Sequence, residues 1–254
     1  MITRIAVVPY PPLLVPELTV RSTSLIEPVR SACLRATTSL TEAATEWVAV
    51  GVDRSGPAVL SPATTGTFAG YGVDVPVALR ERAERSAPPD PDLPLPALVA
   101  GLLRAQAGAR SVTVRLLAPD TPADQAAELG ARLDADGPET GLLVLAEGGS
   151  HRDERSPHLP DPRAAGLDDA LRDALRDVDG PALLGLEPQE CDELGVHSRA
   201  AWQVAAGVAA TGTWQAEPLY SDTPLGITYH VGVWSRAVQE PGASALRGES
   251  PLRR

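Results

Sequence analysis

A chain of 254 residues, 43% of them hydrophobic, can bury a sizeable core as one large domain. Its net charge of -11 disfavours sequence-independent binding to nucleic acid or to anionic membrane, both of which need a basic face. All 22 positive charges are arginine and asparagine is absent, which removes a lysine Schiff base, a P-loop lysine, a Cys-His-Asn triad and N-glycosylation.

No run approaches the roughly 20 apolar residues of a membrane span, so a soluble, cytoplasmic protein is expected. Cys33 and Cys191 are too few and too far apart for a disulfide framework or a zinc site, and read as buried small hydrophobes.

In chain order, β-rich runs predict strands at Arg4–Val8, Trp47–Val52, Ser111–Leu117, Gly141–Ala146 and Gly226–Trp234. Helical patterns fall at Thr23–Thr45, Val75–Arg85, Leu95–Ala107, Pro122–Ala135, Ala164–Val178 and Glu190–Ala209. Thr121 with Asp124 resembles a capping box for the fourth of these helices. The run Asp168–Asp179, with Arg172 and Arg176, has the i, i+4 spacing of an exposed helix laced by ion pairs. Ala87–Pro96 reads as a proline-stiffened surface connection. The alternation predicts an α/β fold: a single domain over residues 1–237 with a central, mainly parallel or mixed β-sheet flanked by helices. Residues 238–254 read as a flexible C-terminal tail.

Ligands in such folds sit beyond the carboxyl ends of the strands. There the chain places Tyr10 in Pro9-Tyr10-Pro11-Pro12, Asp53 after the second strand, and Ser150 and His151 in Glu147-Gly148-Gly149-Ser150-His151. A phenol, a carboxylate and an imidazole are therefore expected to converge on one pocket. His151, after a Gly-Gly-Ser turn that lets the chain approach a ligand closely, is the candidate catalytic residue. Tyr10, Asp53 and Ser150 are the candidate ligand-binding residues. His158 reads as a loop residue and His230 as a strand residue facing the core. Glu190, Glu193 and His197, at i, i+3 and i+7, could share one helical face as metal ligands together with Asp53, or form a solvated face. No G-x-S-x-G, G-x-G-x-x-G, H-E-x-x-H or C-x-x-C motif occurs.

The turn "PYPPLLVPE" (Pro9–Glu17) after the first strand resembles the class III extradiol ring-cleavage dioxygenase family, whose LigB-like fold is shared by Memo-type proteins. "GGSHR" (Gly148–Arg152) is similar to that family's Gly-Asp-Leu-Ser-His loop. "TPLGITYHVGVW" (Thr223–Trp234), "GTFAGYGVDV" (Gly66–Val75) and "RAAWQVAAGV" (Arg199–Val208) resemble an actinobacterial branch of it. The resemblance implies an oxidoreductase that opens an aromatic ring, with ferrous iron held by two histidines and a carboxylate and a further histidine moving the substrate proton. It implies histidine ligands at the ends of the first two strands, and His151 as the acid/base residue.

The chain departs from that pattern at the ligands. Tyr10 stands at the first histidine position and Asp53 where the second is expected, and all four histidines follow residue 150. A phenol with a pKa near 10 is a poor ligand for ferrous iron. Two readings stay open: a dioxygenase-like enzyme for a catechol-like compound with a rebuilt or degenerate iron site, or a metal-free Memo-like module that binds a small aromatic molecule or a protein. Assembly into a homo-oligomer is compatible with both.

Overall fold

Short runs of Val, Ile and Leu, too apolar to be covered on one side only, form the strands at the centre of the molecule. The computed structural model describes residues 1–19, 23–81, 88–135 and 138–237. Its elements in order are β1 (Ile2–Val8), α1 (Thr23–Ala43), β2 (Glu46–Val52), β3 (Ala58–Leu60), β4 (Thr65–Thr67), β5 (Pro76–Ala78) and α2 (Leu95–Ala107). Then follow β6 (Ser111–Leu117), α3 (Ala123–Ala135), β7 (Thr140–Leu145), α4 (Pro162–Asp177), α5 (Gly180–Leu184), α6 (Pro188–Glu193), α7 (Arg199–Ala209), β8 (Trp214–Asp222) and β9 (Tyr229–Arg236).

Seven strands make one sheet in the order β3-β6-β2-β7-β1-β9-β8. The inner four, β6, β2, β7 and β1, are parallel, while β3, β9 and β8 pair antiparallel to their neighbours. This is the single α/β domain with a parallel core that the alternation of strands and helices predicts. Strand alternation divides the core between the two faces. Ile5, Val7, Val144 and Trp234 meet α4, α5 and α7 through Leu171, Leu183 and Trp202. Ala6, Val8, Leu143 and Val231 meet α1 and α2 through Val29, Leu40, Leu98 and Leu103. Cys33 and Cys191 are free and buried. Among the described residues no helix is long and apolar enough to cross a membrane.

Several sequence expectations change. The helix expected at Val75–Arg85 is strand β5 at its start; residues 82–87 lie outside the described ones, as do 238–254, the expected tail. Tertiary pairing with β4 holds this proline-led segment extended. The helix expected at Glu190–Ala209 is two, because Gly195 at φ 76° ends α6 and turns the chain into α7. Strands β3, β4 and β8 carry too little apolar patterning to stand out. β9 starts at Tyr229, three residues later than expected. The Thr121 hydroxyl donates to the Ala118 carbonyl and Asp124 accepts from the Gln125 N–H, in place of a reciprocal box. The ion pairs of α4 run at i, i+3, Asp169 with Arg172 and Asp173 with Arg176, while Asp168 is buried. Within the connection to α2, Leu93 is buried against Gly66.

Candidate functional site

The carboxyl ends of the parallel strands share one edge of the sheet, and β7 lies between β1 and β2. The exits of the first two strands are therefore not neighbours. At about 4.8 Å per strand they stand roughly 10 Å apart, with the exit of β7 in the gap. That middle position belongs to Glu147. Because β9 runs antiparallel to β1, and β8 to β9, the start of β9 at Tyr229 and the end of β8 at Asp222 close the same edge.

Glu147 follows an unbroken apolar strand, and its backbone is fixed on both sides. Its N–H donates to the Ser198 hydroxyl at 2.8 Å, and its carbonyl accepts from that hydroxyl at 3.1 Å and from the Trp202 indole at 3.2 Å. Its carboxylate accepts the Tyr10 backbone N–H at 3.1 Å. Continued alternation after Leu145 sets the side chain on the α1 face, where its charge is felt by Cys33, Tyr10 and Tyr229. Burial raises the Glu147 carboxyl to about 7, against which the Tyr10 N–H pulls weakly. A carboxyl that titrates near neutrality can accept a proton or give one up.

All four tyrosines of this aromatic-poor chain gather around that edge. Tyr10 and Tyr220 pack on the α1-side core, and Tyr229 belongs to it. Tyr71 lies 6.0 Å from Phe68, ring to ring. Burial, followed by the charges of Glu147 and then Asp53, raises the Tyr10 phenol far above its ordinary value. Burial and then Asp53 raise Tyr71, and burial and then Asp222 lift Tyr220 to about 12. The Tyr229 hydroxyl is buried with no hydrogen-bond partner among the described residues. Tyr10 and Tyr229 are neutral donors within electrostatic reach of Glu147, while Tyr71 and Tyr220 lie near Asp53 and Asp222.

The Gly-Gly-Ser loop has a different role from the close approach to a ligand that its sequence suggests. A Cβ on Gly148 would come within 2.6 Å of Asp168 Oδ1 and 3.0 Å of the Thr228 carbonyl, so the space that the glycine leaves is filled by protein. Gly149 N–H donates to Asp168, as does the Thr228 hydroxyl, and Arg152 Nη1 lies 3.7 Å from the same carboxylate. Ser150 is buried, with its N–H on the Leu194 carbonyl and its hydroxyl 3.1 Å from His158 Nδ1. His151 Nδ1 donates to the Leu159 carbonyl at 2.8 Å, and its ring stacks on His158 at 4.6 Å. His158, expected to be a plain loop residue, is thus a partner of both Ser150 and His151. His230 is enclosed as expected, with Nδ1 2.9 Å from the Ser221 hydroxyl.

The four metal candidates are spread apart. Glu193 is held by Arg163 and Gln189, and His197 faces Asp192 at 3.9 Å across the turn that separates it from α6. Glu190 lies in the first turn of α6 and Glu193 at its end, whereas His197 lies beyond Gly195, so the three do not share a continuous helix. Asp53 caps its own turn, accepting from the Ser55 N–H and hydroxyl. Among the described residues no three His, Cys, Asp or Glu side chains come together in a group that could hold a metal ion. With Tyr10 protonated and Asp53 engaged, the side chains at this edge do not fit the ferrous iron that the extradiol resemblance implies.

Sequence reasoning passed over Glu147, Asp168 and Tyr229. The signal for Glu147 was present: an acidic residue closing an apolar strand just before two glycines. No protein-family model matches the chain, and a comparison with curated proteins gives no match. Among solved structures, an uncharacterized protein from Escherichia coli K12 is similar over 92% of this chain and 99% of its own, at 15% identity and a TM-score of 0.47.

Proposed function

We propose that this edge of the sheet is a metal-independent pocket for a small aromatic, catechol-like molecule, with Glu147 as its central hydrogen-bonding and proton-exchanging group. The observation that carries this reading is a carboxyl raised to about 7 by burial and surrounded by neutral phenols. A ligand hydroxyl donates to the Glu147 carboxylate, and Tyr10 supplies a phenol that can donate in return. Tyr71, exposed and backed by the buried Phe68 ring, offers aromatic surface within electrostatic reach of Asp53. His151, whose Nδ1 proton is committed to Leu159, presents Nε2 as an acceptor at the rim. Ring opening through ferrous iron is the weaker reading, because Tyr10 and Asp53 replace both nitrogen donors.

Calorimetric titration with catechol under anaerobic, chelated conditions tests this. Stoichiometric binding is expected without added metal, weakened about tenfold or more in Glu147→Gln, since a hydrogen bond to a charged group is worth about 1.5–3 kcal/mol. Binding that requires ferrous iron, accompanied by oxygen uptake and a yellow ring-opened product, would instead establish the dioxygenase reading.

A further inference from the structure

Beyond the exits of β2 and β7, His151 and His158 touch each other, and His197 lies within electrostatic reach of both and of Arg54, an exposed arginine with no ion-pair partner among the described residues. His151 and His158 form a stacked pair, 4.6 Å between centroids and 13° from parallel. Both rings are held by their Nδ1 atoms, on the Leu159 carbonyl and the Ser150 hydroxyl. Their loop is itself pinned: Asp161 N–H donates to the His151 carbonyl, and Ser156 Oγ donates to the Gly226 carbonyl at 2.6 Å. His197, 47% exposed, lies within electrostatic reach of Arg54, His158 and His151. The nearby carboxylates are largely committed elsewhere: Asp161 and Glu193 to Arg163, and Asp53 to Ser55. Asp192 faces the group 3.9 Å from His197, and the Asp161 carboxylate, although paired with Arg163, is within electrostatic reach of His151.

We propose that Arg54, His151, His158 and His197 form an oxyanion-binding rim that takes a carboxylate, sulfate or phosphate group. Arg54 supplies a permanent charge with a planar fork of donors, and the imidazoles supply N–H donors on a preorganised surface. The Nδ1–H of His151 is spent on Leu159, so its Nε2 donates to an anion only after gaining a proton. A hydrogen bond from His151 Nε2 to an anion therefore needs the imidazolium form of that ring. The rim stands independently of the nature of the pocket's ligand, and a molecule that fills both would be an aromatic acid or phosphate.

The test is a titration of the full chain with sodium sulfate, followed by histidine ring signals in NMR and by calorimetry in two buffers of different ionisation enthalpy. Saturable shifts are expected at His151, His158 and His197, with little change at enclosed His230, and with net proton uptake. Arg54→Gln, at an exposed side chain, should weaken sulfate at least about tenfold and leave the thermal midpoint unchanged. Benzoate binding more tightly than sulfate would place the anionic group on a ligand that also fills the pocket; equal binding would mark a free oxyanion. Catechol titration of Arg54→Gln keeps the pocket reading separate, because that binding should persist. The proposal is overturned if sodium chloride at equal ionic strength reproduces the shifts, or if Arg54→Gln binds sulfate as the unaltered protein does.

Discussion

The backbone N–H of Tyr10 donates to the carboxylate of Glu147 at 3.1 Å, across 137 residues of sequence. This bond ties the proline turn after β1 to the exit of β7 and sets a carboxyl among phenols. Its phenolic neighbours are neutral and burial desolvates the carboxylate, so ionisation is costly.

A carboxyl raised from 4.5 to about 7 binds its proton more tightly in the folded than in the unfolded state. The sign follows: its contribution is fully present below pH 4.5 and is lost as pH rises to about 7. The size is up to about 3 kcal/mol. Glu147→Gln should remove this loss, giving a protein whose stability in urea no longer declines through that window on account of this residue. An unchanged slope between pH 4.5 and about 7 would show that the carboxyl titrates as an ordinary one.

His230 works in the opposite direction. Burial first, and then Arg172, lowers it from 6.5 to about 4, so the folded protein resists its protonation. Its contribution is present above pH 6.5 and is lost as pH falls to about 4, again by up to about 3 kcal/mol. In the native chain the two residues offset one another over much of the same range. His230→Gln should therefore become more stable on acidification from about pH 7 to 4.5, whereas Glu147→Gln becomes less so. Parallel urea series on the two variants would expose the idea as wrong if both sloped alike.

Asp168 is 2% exposed and accepts from Gly149 and Thr228 beside the Arg152 guanidinium. Asp168→Ala leaves two donors and a guanidinium without their acceptor, and should cost about 3–5 kcal/mol. Asp168→Asn retains an acceptor and should cost clearly less. Urea midpoints decide between this linchpin role and a dispensable surface carboxylate.

Tyr10→His with Asp53→His places two nitrogen donors at strand exits on either side of Glu147. The double variant should gain ferrous iron binding under anaerobic conditions, and adding Glu147→Gln should abolish the gain, since three donors on one face are needed. Metal-to-protein ratios after desalting measure this. A folded double variant that retains no iron would mean that the edge no longer holds those exits in ligating geometry.

The α/β class, the core strands and the long helices are legible in the sequence, because continuous Val and Leu runs and 3.6-residue periodicity are local signals. β6 and α2 match their expected bounds residue for residue. Tyr10, Asp53 and His151 are likewise legible as residues beyond strand ends. Strand order is not. Folding puts β7 between β1 and β2, and thereby makes Glu147 the middle of the edge instead of one more polar turn residue. It also turns the Gly148-Gly149 pair from a suspected ligand approach into a seat for Asp168, and joins His158 to His151. The physical reason is common to all three. Burial, electrostatic coupling and ring stacking depend on which distant segments share a few ångströms, and no local pattern of residues records that.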